Sequence, residues 1–255
     1  KDGTVMGNAQ PPSLMEPLLR LSDKKVDYDP VKFQYLGSAN SEASLCVLRK
    51  DAAVKSFKDV LTTEAIVGGS GSSTIDYPLT HNAVLGTKFK VIAGFKGTRD
   101  LSLAMKRGEV QGLCGLFWSS LNTLFPDWRT AGEINIIVQE ATKGEPELLK
   151  MGVPTVYDFA KEAEQRQAMD LMYKPLVFGR PFVMPPETPA DRLAALRTAF
   201  DKVMKDPDLL ADAKKLRIPI QPTTGAEVQE LVKALYAIPT GVVDKLRKEL
   251  IAQRK

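Results

Sequence analysis

Ala65-Ile66-Val67-Gly68-Gly69-Ser70-Gly71-Ser72-Ser73-Thr74 is a short β-branched run that enters a Gly/Ser loop. After Asn82-Ala83-Val84-Leu85 comes a second such stretch, Lys88-Phe89-Lys90-Val91-Ile92-Ala93-Gly94-Phe95-Lys96-Gly97. The pattern is strand, loop, helix, strand, loop, a βαβ unit with both loops at one edge of a parallel sheet. In open α/β sheets, ligands bind outside the carboxyl ends of the strands. Glycines admit a ligand close to the backbone, and the free N–H groups of a helix start favour an anion. Gly69, Ser70, Gly71, Ser72 and Ser73 therefore form a candidate carboxylate cradle, with Phe95, Lys96, Gly97 and Thr98 flanking it. The alternative is a Gly/Ser turn that only caps its helix, which is common in α/β proteins.

Nucleotide chemistry fits this loop poorly. Gly69-Ser70-Gly71-Ser72-Ser73-Thr74 supplies only the first two glycines of G-x-G-x-x-G. The position about 20 residues on carries Lys88 and Lys90 instead of an acid for a ribose. No Gly-Lys-Ser/Thr follows. Ser72 stands where a nucleophile elbow needs its closing glycine.

The bulk composition is that of an ordinary globular chain: 255 residues, 44% hydrophobic and 26% charged. That length holds one large domain or two small ones. Thirty-five basic against 31 acidic residues give +4, and the charges are dispersed along helical stretches. Lys214-Lys215 and Arg247-Lys248 read as solvated helix faces, so no nucleic-acid partner is expected. No apolar run reaches the length of a membrane span. Cys46 and Cys114 lie in apolar strand-like runs and are expected as buried free thiols, with one disulfide open to them if the two strands are neighbours. Lys1-Asp2-Gly3-Thr4 opens on a turn that runs straight into a strand, so an earlier piece of the protein is expected before it.

Taken in order, the chain predicts a strand over Thr4–Gly7 and the polar loop Gly7-Asn8-Ala9-Gln10, where Asn8 joins the candidate ligand contacts. Strands follow at Phe33–Gly37 and Ser44–Arg49, and Ser56-Phe57-Lys58-Asp59 has the form of a capping box. Thr98 is read as a helix cap, and Gly108 suits the left-handed end of that helix. Strands recur around Ile66, Val91, Leu113 and Ile137 as a doubly wound parallel arrangement. Past the Glu162–Tyr173 helix, the apolar strand carrying Arg180 ends in Pro185-Pro186. Thr188-Pro189, Asp206-Pro207 and Thr224-x-x-Glu227 each start a helix, and Ile218–Ile220 is the one further strand expected. This mostly helical block needs a sheet to cover. The simplest organisation is two α/β lobes, one from residues 1–46 with 174–255 and one from residues 47–173.

Asp2-Gly3-Thr4, Tyr28-Asp29-Pro30, Gly69-Ser70-Gly71, Gly94-Phe95-Lys96-Gly97, Leu103-Ala104-Met105-Lys106-Arg107-Gly108-Glu109-Val110 and Pro185-Pro186-Glu187-Thr188-Pro189 occur in an order that resembles the substrate-binding proteins of tripartite tricarboxylate transporters, the TctC or Bug family. The resemblance covers nearly the whole chain. It implies a class II periplasmic-binding-protein-like fold: two lobes, each a mostly parallel sheet flanked by helices, around a cleft. It further implies capture of a small carboxylate in the periplasm, delivery to membrane transporter subunits, a monomer, no cofactor and no catalysis. Two departures stand out. The family has a further N-terminal stretch with a Pro-Gly-Gly loop that contributes to the ligand site, and nothing here matches it. Arg180 stands where many relatives carry an apolar residue, as a carboxylate partner or as an Arg tied to the lobe interface.

Single residues add little chemistry. His81, the lone histidine, is expected as a packed or exposed helix residue, and with two strand cysteines it makes no metal site. No spacing favours a Ser–His–acid triad. Lys96 is an anion contact or a solvated lysine. Ser119 and Ser120 line the same sheet edge or cap a helix, and Trp118 is core or cleft wall. A binding protein is thus the first reading. A hydrolase or transferase using Ser70 or Ser72 competes with it, as does a ligand-sensing module docking on a signalling partner.

Overall fold

The computed structural model describes residues 2–21, 26–216 and 218–254. In chain order the elements begin with β1 (Gly7–Asn8), α1 (Pro11–Leu19), β2 (Gln34–Ser38), β3 (Ser44–Arg49), β4 (Ala65–Gly69), α2 (Ser72–Leu85), β5 (Phe89–Ala93), α3 (Thr98–Arg107) and β6 (Gly112–Phe117). Then come α4 (Trp118–Leu124), α5 (Pro126–Thr130), β7 (Ile134–Glu140), α6 (Pro146–Lys150), α7 (Ala163–Tyr173), β8 (Phe182–Met184), α8 (Ala190–Val203), α9 (Pro207–Lys215), β9 (Thr223–Thr224), α10 (Gly225–Tyr236) and α11 (Thr240–Gln253). The chain divides into two compact units, Lys1–Glu42 with Asp170–Val243 and Ala43–Met169 with Asp244–Lys255.

The second unit carries a five-stranded sheet in the order β5-β4-β6-β3-β7. β4 pairs parallel with β5 and with β6, as the βαβ pattern predicts, while β3 runs antiparallel to both β6 and β7. The four strands expected as a parallel set do share one direction, but the entering strand β3 is inserted between the last two. The core below this sheet is built from Leu45, Val47, Leu101, Leu113, Leu116, Leu121 and Leu148, with Trp118 and Trp128 packed in.

In the first unit the sheet order is β1-β8-β2-β9, and every pair is antiparallel. That departs from the parallel sheet expected there. The reason is the same insertion: β1 and β2 are joined by a helical crossover and run the same way, and the returning strand β8 lies between them. Tyr35 anchors this unit's core, with its hydroxyl donating to the Pro30 carbonyl at 2.9 Å.

Several local readings shift by a residue or two. The first strand is Gly7–Asn8 instead of Thr4–Gly7. Gly97 caps α3, so Thr98 is its first helical residue and not its cap. Thr188 turns its hydroxyl back to the Pro185 carbonyl, and Pro189 takes the cap of α8. Ile218–Ile220 forms no strand, since Pro219 and Pro222 remove the donors a ladder needs, and pairing waits until Thr223. Residues 174–178 form a 3-10 turn, which leaves Arg180 in the bend before β8 and outside any strand. The expected starts at Asp206-Pro207 and Thr224-x-x-Glu227 form as read, with Asp206 accepting from two backbone N–H groups and a reciprocal Thr224/Glu227 box. No helix among the described residues is long and apolar enough to cross a membrane.

Candidate functional site

The carboxyl ends of β4, β5 and β6 meet at one edge of the second unit's sheet. Each leads directly into a helix, α2, α3 or α4. The Gly68-Gly69 pair makes this edge compact. A side chain on Gly68 would run into Leu101 of α3, and one on Gly69 would stand 2.6 Å from Ile75 of α2. The glycines therefore let both helices settle against the strand end.

The loop between β4 and α2 is ordered by Thr74. Its buried hydroxyl oxygen accepts from the Ser70 N–H at 2.8 Å and from the Gly71 N–H at 3.0 Å. Two donors of the expected cradle thus cap the helix internally. The N–H groups of Ser72 and Ser73 belong to the first turn, where a helix offers no carbonyl of its own. Gly71 and Ser72 are exposed and Ser73 is half-buried. A side chain on Gly71 would meet nothing, so the space above this turn is open.

The second loop is tied to the first by the Phe95 N–H, which donates to the Gly69 carbonyl at 3.3 Å. The Lys96 N–H is capped by the Asp100 carboxylate at 3.0 Å, and the lysine side chain is exposed. Gly97 and Thr98 lead into α3. Ser119 sits half-buried in the first turn of α4, where its carbonyl accepts from the Thr123 hydroxyl. Gly69, Ser70, Gly71, Ser72, Ser73, Phe95, Lys96, Gly97, Thr98 and Ser119 all lie at this one edge. Asn8 and Arg180 meet in the first unit, where the Asn8 side-chain amide donates to the Arg180 carbonyl at 2.8 Å. The exposed guanidinium of Arg180 therefore sits on a backbone that Asn8 holds.

Beneath the cradle is a buried polar cluster that sequence reading missed. Glu140, the last residue of β7, is fully buried. Its Oε2 accepts from the Ser44 hydroxyl at 2.7 Å and from the Gly115 N–H at 2.8 Å. Its Oε1 lies 3.5 Å from Nε2 of His81, itself fully buried and edge-on to Phe57. Burial pushes the Glu140 carboxyl up to about 8, against the opposing pull of those two hydrogen bonds. Burial also drives His81 down to about 3. Both shifts favour neutral forms, so the contact at neutral pH is a carboxylic acid beside a neutral imidazole, not an ion pair. The signal available in the sequence was an acid two positions past the apolar run Ile136-Ile137-Val138, at the sheet edge where the strands end.

Cys46 and Cys114 are joined in a disulfide across β3 and β6, which corrects the expectation of free thiols. The two strands are direct neighbours, and a bulge between Leu45 and Val47 sets Cys46 beside Cys114. Trp118 belongs to the core and has the Arg129 guanidinium stacked over its ring at 4.5 Å.

Several solved periplasmic solute-binding proteins have a similar fold. A TctC solute-binding protein from Polaromonas superposes with a TM-score of 0.69 at 14% identity, over 96% of this chain and 79% of its own. The periplasmic binding protein BugD gives 0.65 at 17% identity over 97% and 79%. MatC from Rhodopseudomonas palustris, solved with bound malate, gives 0.63 at 17% over 98% and 80%. At these identities the likeness establishes the fold. No protein-family model matches the sequence, and no curated protein sequence does.

Proposed function

We propose that this protein is a periplasmic solute-binding protein that captures a small carboxylate for a tripartite tricarboxylate-type transporter. The observation that carries the reading is the first turn of α2. Ser72 and Ser73 present backbone N–H groups to open space at the edge where β4, β5 and β6 end. Neutral donors suit a carboxylate, because each charge-assisted hydrogen bond contributes roughly 1.5–3 kcal/mol without a buried lysine that must itself be desolvated. The positive end of the helix dipole acts in the same direction. Malate and adipate, bound by two structural neighbours, are the natural first ligands to try. The cradle binds and releases its ligand without turnover; Ser72 and Ser73 act as backbone donors, and neither Ser70 nor Ser72 acts as a nucleophile.

Calorimetry against mono-, di- and tricarboxylates tests the proposal, with Ser72→Pro as the decisive variant. Ser72 is the first residue of α2, where proline is well tolerated, so the change removes one N–H without breaking the helix. Loss of one such bond weakens binding by about tenfold or more. Undiminished binding by the folded variant would contradict the cradle. Labelling of Ser70 or Ser72 by a fluorophosphonate would favour the enzyme reading.

A further inference from the structure

Glu140 has no part in the cradle, yet a single glycine links it to the turn that bears the donors. Gly115, on β6, adopts φ +76 and packs so closely on α2 that a Cβ there would lie 2.6 Å from the carbonyl carbon of Ser73 and 2.9 Å from the nitrogen of Thr74. The N–H of that same glycine donates to Glu140 Oε2. The carboxyl group is thus separated from the turn that bears the Ser72 and Ser73 donors by one residue's backbone.

We propose that Glu140 is a positioning residue for the cradle, and that a carboxylate bound at Ser72–Ser73 drives proton uptake by the Glu140 carboxyl group. The proposal rests on the cradle reading. An acceptor at Oε2 holds Gly115 N–H, and Gly115 fixes the height of the first turn of α2. An anion above that turn and an ionised carboxylate below it would be two like charges separated by little more than the Gly115 backbone, the lower one fully buried. Binding therefore favours the acid form, in which one proton moves from solvent to Glu140 Oε1 and the Gly115 N–H···Oε2 bond is kept. Burial already poises the group near pH 8, where the free protein is partly ionised.

The other groups facing Glu140 do not supply this proton. His81 on α2 stays neutral well below neutral pH. Tyr77 on α2 is buried and its phenol is driven far above the accessible range, in part by Glu140 itself. Asp76 on α2 is paired with Arg254, which follows α11. Ser44 on β3 is a hydroxyl donor, and Cys46 and Cys114, whose sulfur atoms lie within 4.8 Å of the carboxylate, are locked in their disulfide.

The test is isothermal titration calorimetry of the whole chain with malate and with adipate, at pH 6.0 and pH 8.0. Each is run in phosphate and in a buffer of high ionisation enthalpy such as Tris or imidazole. The difference in observed enthalpy counts protons taken up per ligand. The expected result is uptake of a substantial fraction of one proton at pH 8.0 and close to none at pH 6.0. The dissociation constant should rise by up to tenfold per pH unit above pH 8. Glu140→Gln should abolish both the uptake and the alkaline weakening. Ser44→Ala removes a donor that favours the ionised form, so it should move the uptake to higher pH. It serves as the second variant if Glu140→Gln does not fold. Binding of malate or adipate by the parent with no proton uptake at pH 8.0 would overturn the inference and leave the cradle standing. The same uptake in Glu140→Gln would do so too. Failure of the whole carboxylate panel to bind would remove the cradle and the inference together.

Discussion

Glu140 and His81 make opposite contributions to the pH dependence of stability, and their sum has a definite shape. Glu140 carries a folded-state value of about 8 against an ordinary 4.5. Between those values the native state holds a proton that the unfolded chain has released, so stability falls as pH rises. His81 carries about 3 against 6.5. Between those values the unfolded chain holds a proton that the native state refuses, so stability falls as pH drops. From pH 4.5 to 6.5 both operate, one proton on each side, and the slopes cancel. Above 6.5 only Glu140 remains, with a slope of about 1.4 kcal/mol per pH unit. Across pH 6.5 to 8.0 that amounts to a loss of about 2 kcal/mol. The acid limb is less clean, since Asp59 and Glu227, whose carboxyl groups are held low by hydrogen bonds, also lose their contribution there. The assay is urea unfolding of parent and Glu140→Gln at pH 5.5, 6.5, 7.2 and 8.0. The parent should hold level to pH 6.5 and then decline, while Glu140→Gln, left with the His81 contribution alone, should gain stability from pH 5.5 to 6.5 and stay level above it. Parallel curves for the two proteins would refute the assignment of a neutral buried carboxyl to Glu140.

Two further outcomes follow from the same edge of the sheet. Gly115→Ala places a Cβ against the Ser73–Thr74 backbone at a left-handed φ, so it should destabilise by about 2–4 kcal/mol in denaturant melts and weaken carboxylate binding more than the fold. Reduction of the Cys46–Cys114 bond, or Cys46→Ser with Cys114→Ser, releases a link across 68 residues of chain and should cost about 2–4 kcal/mol in the same melts.

Residues 65–97 were legible because each signal is local. Two β-branched runs, each entering a glycine-bearing loop, with a helix-length stretch between them, specify a βαβ unit without reference to the rest of the chain. The caps at Asp206 and Thr224 were legible for the same reason. The pairing of β3 with β6 and β7 was not, because strand insertion is decided by where a long chain returns and not by the strand's own residues. The disulfide depended on that same pairing. Thr74 reads in the sequence as one more hydroxyl of the loop, and its role in consuming the N–H groups of Ser70 and Gly71 was not legible, because composition leaves open the choice between ligand and self-capping. Glu140 needed the fold most of all, since Ser44, His81 and Gly115 come from three other elements.

A crystal structure of the protein with the tightest-binding member of the carboxylate panel tests the central claim most directly. A carboxylate of the ligand should accept from the backbone N–H groups of Ser72 and Ser73 at about 2.7–3.2 Å, with the Ser70 and Gly71 N–H groups still on Thr74. A ligand held elsewhere, with the first turn of α2 facing only water, would contradict it.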